Sequence, residues 1–120
     1  MVNYYFDTYA IVEMLKNNPS YKKYFEFPFF TSVFNKVEIY WWALINHEQE
    51  LSELIVSSFP PTLDVPNAVI RDAMLFRKKY SRRNISYADA VGYMLAIKHG
   101  LLFLTGDQAF EGLPGVEFVR

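Results

Sequence analysis

Short apolar runs alternate with longer amphipathic stretches along this chain of 120 residues. "VNYYF" (2–6) is β-branched and aromatic and reads as a strand, and "TYAIVEML" (8–15) carries apolar residues at helical spacing until "NNP" stops it. A short helix through "YKKYF" precedes "FPFFTS" (27–32), a second strand candidate, and a long helical pattern follows over residues 33–46. The amphipathic "EQELSELIVSSF" ends at Pro60 and Pro61, "TLDV" suits a short strand or an extended link, and Pro66 fits the first turn of the next helix, "NAVIRDAMLFRKKY". After the polar "SRRN" come a helix over Tyr87 to Lys98 closed by "HG", the strand "LLFLT", the turn "GDQAFEG" and a last strand, "GVEFV".

Strands alternating with helices predict an α/β domain whose mostly parallel sheet is covered on both faces. In such folds ligands bind in the crevice outside the carboxyl ends of the strands, so residues at strand ends carry the functional question. Composition sharpens this picture by exclusion. With 52% hydrophobic and 18% aromatic residues, positions 1–120 can bury one sizeable core and are expected to form a single domain. The absence of cysteine rules out disulfides, thiolate zinc sites and cysteine nucleophiles, and points to a reducing compartment. No basic flank with an apolar run and cleavage site opens the chain, and no run reaches about 18 apolar residues, so a soluble, cytoplasmic protein with no membrane partner is expected.

A net charge of -1 gives no global field to attract a polyanion. The basic residues cluster locally, at Lys22 and Lys23, at Arg77, Lys78 and Lys79, and at Arg82 and Arg83; each cluster is either a solvated helix face or part of a nucleic-acid stripe. His47 and His99 lie near helix ends and read as ordinary surface or capping residues. No nucleophile elbow, phosphate loop or dinucleotide fingerprint is present.

Four carboxylates remain. Asp7 closes the first strand, where it either caps the following helix or serves chemistry. Asp89 lies in "SYAD", where Ser86 and an acid three residues on suit a capping box, and Asp107 follows a buried strand where capping is again a fair account. Gly92 and Ala96 on the same helix would let Asp89 lie close to a sheet edge. Glu38 has no capping role. On a wheel of about 100° per residue with Phe34 at zero, Trp41 falls at about 340°, Ile45 at about 20°, Glu38 at about 40° and Trp42 at about 80°, so Glu38 lies within an apolar arc. If the sheet is parallel, the four acids converge. Two carboxylates about 4 Å apart repel by about 4 kcal/mol at an effective dielectric of 20, which a hard divalent cation would relieve. All-oxygen ligation points to Mg²⁺ or Mn²⁺, ions that position and polarise a phosphodiester.

On "FDTYAIVEML", "TSVFNKVEIY" and "ISYADAVGYMLAIKHGLLFLTGDQAFEGLPGVEFV", with the order Asp, Glu, Asp, Asp, the chain resembles a PIN-domain ribonuclease of the VapC-like toxin type. The resemblance spans nearly the whole chain and implies a three-layer α/β/α fold, a metal site of Asp7, Glu38, Asp89 and Asp107, and cleavage of RNA to a 5'-phosphate and a 3'-hydroxyl. It further implies a cognate antitoxin and a homodimer as partners. Thr8 and Thr105 would orient ligands or water, Asn35 would be a polar neighbour of Glu38 or a helix cap, and Arg82 and Arg83 would meet phosphates. Tyr9 departs from the family's usual Asn or Ser and puts one supporting hydrogen bond in question. The aromatic "IYWWALI" suits either an all-buried helix or a surface for a homodimer or antitoxin. Two rival functions differ in class: a non-catalytic interaction module of the same fold, and a Mg²⁺-dependent phospho-acceptor or phosphatase. The phospho-acceptor lacks an Asp in the middle of the chain, and the phosphatase lacks a second Asp at position 9.

Overall fold

Tyr4, Tyr5 and Phe6 are buried together because they form β1 (Tyr4–Phe6), a strand covered on both faces. The computed structural model describes residues 1–120. After β1 come α1 (Thr8–Leu15), a 3-10 helix (Pro19–Glu26), α2 (Val33–Ile45), α3 (Gln49–Ser58), α4 (Asn67–Lys79), a 3-10 turn (Ser81–Arg83) and α5 (Tyr87–Lys98). The chain closes with β2 (Leu102–Thr105), a 3-10 turn (Gln108–Phe110) and β3 (Val116–Phe118). The three strands are parallel in the order β1-β2-β3, with Phe6 opposite Leu104 and Thr105 opposite Phe118.

Side chains on a strand alternate between faces, and here that alternation separates two cores. Tyr5 and Phe103 point to α4 and α5, joining Val69, Ala73, Phe76, Tyr93 and Phe110. Tyr4, Phe6 and Leu104 point the other way, to Ile11, Tyr21, Ile39 and Ile55 of α1, the first 3-10 helix, α2 and α3. The result is the expected α/β/α sandwich on a parallel sheet.

One expectation is corrected, and of the two readings open for α2 the all-buried helix is excluded. "FPFFTS" is not a strand: Phe30 meets Tyr5 through one isolated parallel bridge. Pro28 has no amide to give a ladder, and the carbonyl of Thr31 is taken by the Leu63 amide at 2.9 Å, which also makes "TLDV" an extended link. The apolar arc of α2 is not its buried face. Phe34, Trp41 and Ile45 are exposed, Trp41 by 62%, and the helix turns Asn35, Ile39 and Ala43 inward.

Two glycines permit close approaches. A Cβ on Gly92 would stand 2.8 Å from the Tyr5 ring, so its absence lets α5 lie against β1. A Cβ on Gly106 would fall 2.2 Å from the Val119 carbonyl and 2.3 Å from the Tyr9 ring. Tyr9 thus fills the space over Gly106. Because a backbone carbonyl cannot swing aside as a flexible side chain can, Gly106→Ala is expected to destabilise the fold by about 3 kcal/mol. Equilibrium unfolding in urea checks this, and an unchanged midpoint would contradict the packing.

Candidate metal centre

The register of β1 on β2 builds the site. The Asp7 amide donates to the Leu104 carbonyl at 3.1 Å, which continues the ladder one residue past β1 and sets Asp7 beside Thr105. Thr105 Oγ1 then donates to Asp7 Oδ2 at 2.7 Å and accepts from the Asp107 amide at 3.1 Å. Asp7 occupies the cap position of α1, yet its side chain makes no capping bond to the helix. It is only 1% exposed, and its Oδ1 has no hydrogen-bond donor.

Asp89 approaches from the start of α5, where Ser86 Oγ accepts its amide at 3.1 Å. The Asp7 and Asp89 carboxyl groups are close enough that each shifts the other's proton affinity. Asp7 Oδ1, buried without a hydrogen-bond donor, is relieved by either a proton or a cation. Burial first, and the Asp89 charge second, push the Asp7 carboxyl well above its ordinary range, against the opposing pull of the Thr105 hydroxyl and the Thr8 amide. Burial and then the Glu38 charge raise Asp89 to about 6, with Asp107 adding a smaller push. No basic side chain relieves this: the one ion pair in the protein joins Lys16 to Glu13 at 3.2 Å.

Glu38 and Asp107 complete the surroundings. Thr8 Oγ1 donates to Glu38 Oε1 at 2.5 Å, and Asn35 Nδ2 donates to Thr8 Oγ1 at 3.0 Å. Asp107 Oδ1 accepts the Ala109 amide at 3.0 Å, so the capping role holds for one oxygen and leaves the other unbonded. As the side chains stand, no group of three or more His, Cys, Asp or Glu is arranged to hold an ion. The donor set nevertheless fits a hard divalent cation on one observation: a buried carboxylate oxygen without any donor, set beside a second carboxyl group, with only oxygen ligands near.

The arginines divide. Arg83 Nη1 donates to the carbonyls of Ala109 at 3.0 Å and Glu111 at 3.1 Å, so it pins the turn after Asp107, whereas Arg82 is exposed. The two histidines are exposed. Two residues of this network carry no obvious sequence signal for it. Tyr5 reads as an ordinary strand aromatic, yet its hydroxyl donates to Asn35 Oδ1. Ser32 reads as a helix cap, yet its Oγ also donates to Asn35 Oδ1, at 3.0 Å.

A family model described as PIN domain matches residues 4–116. Among solved structures, the chain is similar to a toxin-antitoxin complex from Klebsiella pneumoniae, with 20% identity, 96% of each chain covered and a TM-score of 0.75. It is also similar to VapBC2 from Rickettsia felis bound to a DNA fragment from their promoter, with 15% identity, 99% of this chain and 98% of the other covered, and a TM-score of 0.71. No curated protein matches the sequence.

The raised carboxyl groups carry a pH signature. A carboxyl that binds its proton more tightly in the folded state favours folding fully below its unfolded value of 3.8, and that contribution is lost as pH climbs through about 6. For Asp89 the loss amounts to roughly 3 kcal/mol, and Asp7 adds in the same direction. Metal-free protein should therefore lose stability between pH 4 and pH 7, and Asp89→Asn should flatten that slope. Urea unfolding in EDTA across this range is the measurement; a slope unchanged by Asp89→Asn would refute the assignment.

Proposed function

The chain belongs to the PIN domain family, and from that premise we propose that it is a Mg²⁺- or Mn²⁺-dependent endoribonuclease, the toxin of a toxin-antitoxin pair. The observation that carries this reading is the buried, donorless Oδ1 of Asp7 set beside Asp89, at the strand ends where this fold binds ligands. A cation bound there would polarise the phosphodiester and lower the pKa of water. In this reading Asp7 and Asp89 hold the ion deeply, Glu38 offers the oxygen that Thr8 leaves free, and Asp107 contributes from the rim. Thr105 keeps Asp7 Oδ2 occupied, so that Oδ1 faces the ligand. Arg82 meets the RNA backbone from the exposed side, while Arg83 holds the Asp107 turn in place. The products are a 5'-phosphate and a 3'-hydroxyl, and the action is cytoplasmic; no helix is long and apolar enough to cross a membrane.

The partners in this reading are RNA, an antitoxin and a second copy of the chain. The outward face of α2 supports a protein partner. Val33, Phe34, Val37, Trp41, Leu44 and Ile45 are all at least 39% exposed, and the stripe carries no charge. A contiguous apolar face of this kind marks an interaction surface. A purely non-catalytic module gives no reason to retain an unpaired buried acid, which opposes folding. A phospho-acceptor fits no better, since residues 49–58 form a helix and not a strand that could end in an acceptor Asp.

Asp7→Asn and Asp89→Asn should each abolish RNA cleavage and keep the folded circular dichroism spectrum; retained cleavage in either sinks the proposal. Mn²⁺ at a hundredfold excess over its Kd should stabilise the wild type by about 2.7 kcal/mol in thermal unfolding, and no shift at millimolar Mn²⁺ would count against the site. Stable phosphorylation by a small phosphodonor would favour the phospho-acceptor instead. Light scattering should report a dimer that Trp41→Glu weakens, if the stripe pairs two copies.

A further inference from the structure

Resting on that reading of the site, the geometry points to Asn35 as a positioning residue that fixes the direction of the Thr8 hydroxyl and thereby assigns the two oxygens of Glu38. Asn35 is wholly buried. Its Oδ1 receives three donors: the Tyr5 hydroxyl, Ser32 Oγ at 3.0 Å and the Ser32 amide at 3.4 Å. The two hydroxyls could donate or accept, but the Ser32 amide can only donate, and it is this group that makes the facing end of the side chain the oxygen. The other end is therefore the NH₂ group, and it donates to Thr8 Oγ1 at 3.0 Å.

A hydroxyl that accepts a bond from a fixed donor must send its own proton elsewhere. For Thr8 the acceptor is Glu38 Oε1, at 2.5 Å. Glu38 Oε1 is thus held by the protein, and Oε2, which makes no hydrogen bond, is left for a cation. The same logic governs the partner acid across the site: the Asp107 amide donates to Thr105, whose proton is then directed to Asp7 Oδ2 and leaves Oδ1 free. Asn35 does for Glu38, with a side chain, what a backbone amide does for Asp7. Tyr5 anchors this arrangement from β1, behind Gly92 of α5, so the relay is tied to the sheet and not to α2 alone.

The test is a double-mutant cycle read by isothermal titration calorimetry with Mn²⁺ alone. Asn35→Ala should weaken Mn²⁺ binding about tenfold or more, the range for residues that orient metal ligands. In a Thr8→Val background the same change should cost less than about twofold, because the hydroxyl it orients is gone. Equal losses in both backgrounds would mean that Asn35 serves packing only, and would overturn the relay. Thr8→Ser, which keeps the hydroxyl, should recover most of the affinity lost in Thr8→Val. If Asn35→Ala fails to fold, Asn35→Asp replaces it, since it keeps all three donors satisfied and reverses only the bond to Thr8. Its added charge alone would tighten Mn²⁺, so weaker binding supports the relay, and equal or tighter binding overturns it. Asp7→Asn and Asp89→Asn separate the two levels of inference. If they abolish binding while the Asn35 and Thr8 variants do not, the relay alone fails. If they leave binding intact, the site fails and takes the relay with it.

Discussion

The Asp7 carboxylate is the point on which the other features of this site depend. A buried acid oxygen without a donor opposes folding, and evolution could remove the strain with a basic partner, as proteins commonly do for buried charge. Here the surroundings do the opposite. Thr105 holds one oxygen, the other has no donor, the Asp89 charge lies close by, and no lysine or arginine pairs with the site. Strain of this kind is stable only because the sheet over-determines the position of Asp7, through the ladder bond to Leu104 and the aromatic cores on both faces.

Much of this was legible from residues alone. The alternation of short strands and amphipathic helices gave the fold class, and Ser86 before Asp89 and Pro66 before α4 marked helix starts that the structure places within a residue or two. The strand-end position of Asp7 is legible in "NYYFDTYAI" because a run of aromatics and a helical period after it are both local signals. What failed was inference about faces. The apolar arc on α2 does not mark its inside, because hydrophobic residues outside a core look the same in sequence as those within one. The inward face of α2 holds Asn35, a polar residue whose burial is explained by donors from Tyr5 and Ser32 that no local pattern announces. Glu38 is half-buried for a different reason than its arc suggested: it meets Thr8 across the α1–α2 contact. Arg83 illustrates the same limit, since its place in "SRRN" says nothing of the Ala109 and Glu111 carbonyls it meets.

The two faces of α2 place unlike demands on one helix. Inward, it must deliver Asn35 and Glu38 to fixed partners with little tolerance for rotation; outward, it presents an apolar stripe that binding to another protein would cover. Glu38 follows Val37 directly and lies one turn before Trp41, at the edge of that stripe, so anything that seats on Val37 and Trp41 sits beside this acid. The outer surface and the inner site are sides of a single rigid element.

The sheet pairs the start of the chain with its end. Tyr4 lies opposite Leu102, the bond from Thr105 to Asp7 joins residues 98 apart, and Tyr21 closes onto the Val119 carbonyl. Contacts so distant in sequence form slowly and late. On a ribosome, where the chain emerges from its first residue onward, β1 has no neighbouring strand and Asp7 no threonine until β2 has left the exit tunnel. The acid site thus comes together only once the chain has been made through Thr105 and Asp107, and topology by itself delays its assembly during synthesis.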